Sequence, residues 1–194
     1  MKTALGSSDI EKSKQSISSL FFACMSITIT LAIFGPIELY LTNINEFWFT
    51  FREFWWIVLL AGFALFTIFF AIGTLLRGKF RTIYTNLVIG LAFAFYVQGN
   101  WINTDYGVLD GKSIQWDEYS RLAIINTFIW IACLLLPFIL QKLFKNIHKK
   151  IIKYTAIFIV AIQIFTMGIL MITVKENKKG IDTAYLSTND EFSL

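Results

Sequence analysis

The chain has 194 residues, of which 56% are hydrophobic, 17% aromatic and only 15% charged. A soluble domain carries about 25% charged residues, so this composition excludes an ordinary soluble protein and points to one that lives in a bilayer. The formal net charge of +4 says less than the positions of the charges, which are strongly segregated.

The first 15 residues are polar. The apolar run behind them is too long, and lacks the small-residue site, for a cleavable signal peptide. Residues 1–16 therefore read as an N-terminal tail. A five-helix transmembrane domain over 17–174 is expected to follow. Its spans lie at about 17–40, 54–76, 82–98, 122–143 and 151–174, each close to the roughly 20 residues that cross hydrocarbon as a helix. The third span is the shortest. Residues 175–194 read as an exposed tail or a linker to a further domain. The expected fold class is an all-α polytopic membrane protein with two structured extracellular loops.

Gly35-Pro36 is expected to kink or end the first span, because proline lacks an amide hydrogen and crowds the preceding turn. Pro137 is expected to act similarly in the fourth. The stretch "IELYLTNINEFWFTFREFWW" (37–56) reads as an interfacial aromatic belt with a short surface helix. Glu38 sits at that boundary, where a carboxylate can reach water. Asn86, Asn126 and Gln163 lie in or near the spans, where hydrogen bonds between helices are their ordinary role.

Orientation follows from lysine and arginine. The N-terminal tail, the turn "RGKFR" (77–81) and the linker "KLFKNIHKKIIK" (142–153) hold eleven of the seventeen basic residues, all on one side of a five-span chain. The other side holds eleven of the thirteen acidic residues. The positive-inside rule makes the basic side cytoplasmic. The expectation is a bacterial cytoplasmic-membrane protein with its N-terminus inside and C-terminus outside. The lysine run can also touch anionic headgroups, at about 1 kcal/mol per basic residue.

Catalytic signatures are missing from this sequence. It has no HExxH, no paired CxxC, no glycine-rich phosphate loop and no Gly-x-Ser-x-Gly elbow. The single histidine, His148, reads as a solvated residue of the lysine linker. Cys24 and Cys133 fall in apolar runs and read as small buried hydrophobes. No catalytic, cofactor-binding or metal-ligating residue is assigned.

The polar island at 96–122 has its own local chemistry. Asp110-Gly111 signals a tight turn and Tyr106-Gly107 a bend. Asp117 is placed to cap the fourth helix. Trp101 and Trp116 flank the island as interface anchors. With Glu38, Glu46, Trp48, Asp105 and Asp110 they form the candidate surface for docking a partner domain or a lipid headgroup.

Three segments, "FGPIELYLTNINEFWF" (34–49), "YVQGNWINTDYGVLDGKSIQW" (96–116) and "AIINTFIWI" (123–131), resemble the N-terminal membrane region of bacterial sulfatase-like proteins. These are the lipoteichoic-acid-synthase-like phosphoglycerol transferases of the alkaline phosphatase superfamily. The resemblance implies membrane helices that precede an extracellular, metal-dependent catalytic domain. No residue here matches that domain's nucleophile or metal cluster. The expected function is therefore a non-catalytic membrane anchor that positions such a domain, in cis or in trans, at the outer face. A freestanding protein that binds or moves lipid-linked cell-envelope glycan intermediates is the alternative, and an oligomeric scaffold a third. The expected partners are the bilayer, the catalytic domain, and a lipid-linked glycan or phospholipid headgroup. No nucleic acid is expected.

Overall fold

The structure, a computed structural model, describes residues 2–44, 46–102 and 116–173; for 2–13 and 116–119 it describes the backbone alone. The described elements are helical. They are α1 (Lys2–Thr28), a π-helical turn (Ile29–Phe34), α2 (Gly35–Thr42), α3 (Phe51–Leu75), α4 (Gly78–Trp101), α5 (Trp116–Leu143) and α6 (His148–Thr173). Five stretches are long and apolar enough to cross a bilayer: Lys14–Thr42, Phe51–Leu75, Gly78–Trp101, Ser120–Leu143 and His148–Thr173. The chain is an all-α, multi-pass membrane protein.

Helix α1 is the hub. It packs against α3, α4 and α6, whereas α5 leans mainly on α4. The core is built from Leu20, Ala23, Cys24 and Ile27 of α1, Val88, Ile89 and Ala92 of α4, and Ile152, Ala156 and Ile159 of α6. The α1 set recurs at three- and four-residue steps, which puts it on one helical face. Small members such as Ala23, Ala92 and Ala156 let the helix backbones approach closely, as association in lipid requires.

Pro36 shapes the first span differently from the expected kink or end. The helix continues past it to Thr42. The missing amide would have bonded the carbonyl four residues back. The turn before it widens instead, and Gly35 N–H bonds the Thr30 carbonyl, five residues back. An added Cβ on Gly35 would lie 3.3 Å from that same oxygen, so the widened turn favours glycine there. The expected separate surface helix is thereby replaced by α2, a continuation of the first span. The polar tail is likewise helical from Lys2 and runs straight into α1.

Pro137 also lies inside a continuous helix, since α5 runs on to Leu143. The carbonyl it leaves without its usual partner belongs to Cys133. Gly90 of α4 packs directly against this place. A Cβ there would meet Leu134 Cα at 3.1 Å and the Cys133 and Leu134 carbonyls at 3.2 Å.

The short connection between α3 and α4 is closed by charge. Arg81 Nε donates to the Leu76 carbonyl at 2.9 Å, and Nη2 to the Thr74 carbonyl at 3.2 Å. The guanidinium thus caps the free carbonyls at the end of α3. Gly78 takes φ +58°, a left-handed conformation that glycine adopts without a Cβ penalty.

The spans are joined by buried polar contacts. Asn86 of α4 donates to Gln141 of α5 at 2.5 Å, and Gln163 of α6 donates to Thr30 Oγ1 at 2.8 Å. Tyr84 of α4 donates to the Phe69 carbonyl of α3 at 2.9 Å. Asn86 and Gln163 thus have the expected interhelical role. For Asn126 the Oδ1 atom has no hydrogen-bond partner among the described residues.

Candidate functional site

The bundle has two chemically distinct ends. Lys14 of α1 and Lys149, Lys150 and Lys153 of α6 converge on one cleft, which defines a basic end. Deeper in the bundle Thr30 meets Gln163, so α1 and α6 run side by side in the same direction. They finish at the opposite, aromatic end, where Ile37, Tyr40 and Leu41 of α2 pack with Met167 and Leu170 of α6.

The aromatic end carries a folded cap. Tyr40 is 3% exposed and donates its hydroxyl to the Phe49 carbonyl at 3.2 Å. Around its ring stand Phe47, Phe49, Phe51 and Phe54, with centroids 5.5, 5.7, 5.8 and 5.6 Å away. Such pairs add about 0.5–1.5 kcal/mol each beyond the area they bury. The start of α3 is fixed as well. Glu53 Oε2 accepts from the Thr50 amide at 2.9 Å and from its hydroxyl at 3.2 Å, which is capping-box chemistry. The signal for it, Thr50-x-x-Glu53, is present in the sequence.

This cap turns some candidate residues outward. Trp48 is 87% exposed, held edge-on to Phe49 at 5.6 Å. Glu46 is exposed beside it, and Glu38 is half-buried on α2. Trp101 closes α4 and is 78% exposed. Exposed tryptophans at span ends are suited to the headgroup layer, where an amphipathic ring meets both lipid and water.

The stem of the polar island is pinned by a contact that sequence reasoning did not find. Trp130 Nε1 of α5 donates to Gln98 Oε1 of α4 at 2.9 Å, and Gln98 Nε2 donates to the Ile102 carbonyl at 3.2 Å. Phe95 stands edge-on to Trp130 at 5.1 Å. Asp105, Asp110 and the two expected turns of the island lie outside the described residues. Trp116 opens α5, so Asp117 lies one residue inside that helix rather than before it. This corrects its assignment as the preceding cap.

His148 is a second correction. It is 3% exposed and begins α6, with Nε2 3.3 Å from the Pro137 carbonyl. The expected solvated linker residue is instead a buried tie between α5 and α6. The reason is geometric: residues 144–147 make so tight a turn that the next residue is folded back against α5.

Chemically, the described part of the aromatic end combines a packed aromatic cluster with exposed Trp48, Trp101 and Glu46. Compared with known proteins, the chain matches no family model, no curated protein sequence and no solved structure.

Proposed function

We propose that the bundle is a membrane anchor that holds and orients an extracytoplasmic sulfatase-like or phosphoglycerol-transferase-like catalytic domain, without itself catalysing a reaction. The observation that carries this reading is the separation of the two ends. Lys14 of α1 and the lysines at the start of α6 share one face, and α6 finishes at Thr173 on the aromatic face. Lysine-rich ends stay cytoplasmic in multi-pass proteins, so the aromatic face is assigned to the outside. A domain tethered beyond α6 would then stand over the aromatic cap. The three sequence segments that resemble the membrane region of phosphoglycerol transferases agree with that arrangement, as does a cap that presents Trp48 and Glu46 outward.

The test has two parts. Single cysteines placed at Trp48, Thr173 and Lys79 are treated with a membrane-impermeant maleimide in intact bacterial cells. Trp48→Cys and Thr173→Cys should label, and Lys79→Cys should label only after lysis. The purified chain is then assayed for metal-dependent release of glycerol phosphate from phosphatidylglycerol, and none is expected. Labelling of Lys79→Cys in intact cells, or turnover by the purified chain, would overturn the proposal.

A further inference from the structure

The basic end holds a cleft of about 390 Å³ between the Lys14–Ser18 turn of α1 and the start of α6. That is within the roughly 300–1,000 Å³ typical of small-molecule sites. Lys14, Lys149, Lys150 and Lys153 line it with Ser18 and Tyr154, so four ammonium groups and no described carboxylate face one space. Lys153 is half-buried, and its Nζ lies 5.0 Å from the Phe22 ring centroid. That cation–π contact holds one charge beside an apolar ring, and an ammonium taken into hydrocarbon without a counter-charge is costly.

The surface below the cleft is apolar. One turn deeper on α1, three residues beyond Lys14 and Ser18, Ile17 and Phe21 are 41% and 39% exposed. Four residues beyond Lys153 and Tyr154, Ile157 and Phe158 of α6 are 37% and 65% exposed. A cationic pocket over an exposed apolar seam matches an amphiphile with a negative head and hydrocarbon tails. Free phosphate has no use for the seam. Tyr154, 64% exposed, stands at the boundary between the two, where a phenol can serve both.

We propose that this cleft binds the phosphate headgroup of an anionic phospholipid from the leaflet at the basic end, with its acyl chains along the seam of Ile17, Phe21, Ile157 and Phe158. Lys14, Lys150 and Lys153 neutralise the phosphate. Basic pockets between membrane helices are suited to this chemistry, because headgroup and pocket meet at the same depth. The inference is independent of the anchor role, which concerns the opposite end of the bundle.

The full chain, delipidated in a neutral detergent, is titrated with phosphatidylglycerol, phosphatidylcholine or inorganic phosphate, and binding is read by native mass spectrometry. Phosphatidylglycerol should remain bound under conditions that remove phosphatidylcholine. K14Q/K150Q should weaken phosphatidylglycerol binding by roughly tenfold or more, since two basic contacts are lost. K14R/K150R should retain it, which shows that the substituted positions tolerate change. R77Q/K79Q removes the same charge elsewhere at the basic end and should leave binding within about twofold. Equal loss in R77Q/K79Q would reduce the effect to general surface charge and overturn the site. So would equal retention of the two lipids. Displacement of the lipid by equimolar inorganic phosphate would reassign the cleft to free phosphate and also overturn the proposal. Circular dichroism of each variant confirms that helicity is unchanged before binding is compared.

Discussion

Gln163 of α6 reaches across the bundle to Thr30, 133 residues earlier in the chain, and meets it inside the π-helical turn that Pro36 imposes. Both residues are buried, and the Thr30 hydroxyl donates in turn to the Ser26 carbonyl at 2.9 Å. A helix irregularity is thus tied to a second helix by the side chain that sits within it. Hydrogen bonds between membrane helices average about 0.6 kcal/mol and reach about 1.7. Gln163→Leu, which keeps most of the volume, should therefore cost about 1 kcal/mol or less. Gln163→Ala also leaves a cavity in a fully buried place and should cost about 2 kcal/mol or more. Reversible unfolding in mixed micelles of increasing sodium dodecyl sulfate separates the two. Equal cost for both variants would show that packing contributes nothing there.

Some glycines touch backbone, some touch side chains and some touch nothing. A Cβ on Gly90 would press on the α5 backbone at 3.1–3.2 Å. Gly90→Ala should destabilise by about 1 kcal/mol, and Gly90→Leu should detach α5 from α4, at a cost above about 3 kcal/mol. Gly168 has no atom within 4 Å of an added Cβ. Gly168→Ala should stabilise, by up to about 1 kcal/mol, through helix propensity alone. The same unfolding assay checks all three. A stabilised Gly90→Ala would refute the close contact.

The aromatic cap should depend far more on the Tyr40 ring than on its hydroxyl. Tyr40→Phe removes one 3.2 Å hydrogen bond and should cost about 1 kcal/mol. Tyr40→Ala removes the ring around which four phenylalanines pack and should cost about 3–5 kcal/mol. Trp48→Ala should leave stability within about 0.5 kcal/mol, because that ring is almost wholly exposed. A large stability loss in Trp48→Ala would make the tryptophan part of the cap's core and remove it from the exposed surface.

Cys24 and Cys133 are 0% and 5% exposed, and neither is in a disulfide. Both should resist maleimide in the folded protein and react at once in denaturing detergent. Fast labelling of the native chain, followed by mass spectrometry, would show that the α1 core or the α4–α5 contact opens readily. The wild-type chain should therefore serve as the background for single-cysteine topology mapping.

Hydropathy made the five spans legible because the cost of polar groups in hydrocarbon leaves a direct trace in composition. The third was read as 82–98 but extends over Gly78–Trp101. Its ends are polar, and the helix continues there because Arg81 and Gln98 find partners, which hydropathy cannot register. The partners themselves were hidden. Asn86 and Gln163 were expected to bond across helices, but which residue each meets depends on helix rotation and on a widened turn. For His148, the lysines on both sides suggest water. Burial was decided instead by the short turn before it and a carbonyl beside Pro137. At the site, Trp48 and Trp101 were recognisable as aromatics at span ends. The stack that fixes Trp48 in place joins residues from α2, the following loop and α3, and no single window of sequence contains that relationship.

The last helix completes a core that the first helix begins. Leu20, Cys24 and Ile27 share that core with Val88, Ile89 and Ala92 of α4, and Ile152, Ala156 and Ile159 of α6 complete the cover over the buried face of α1. During synthesis α1 must wait in the bilayer with that face turned to lipid or to the insertion machinery, until the ribosome has passed Gln163. The core of the bundle is therefore closed only once α6 is in place. A premature stop anywhere in α6 leaves an open seam along α1, and quality-control proteases in the membrane have that seam to recognise.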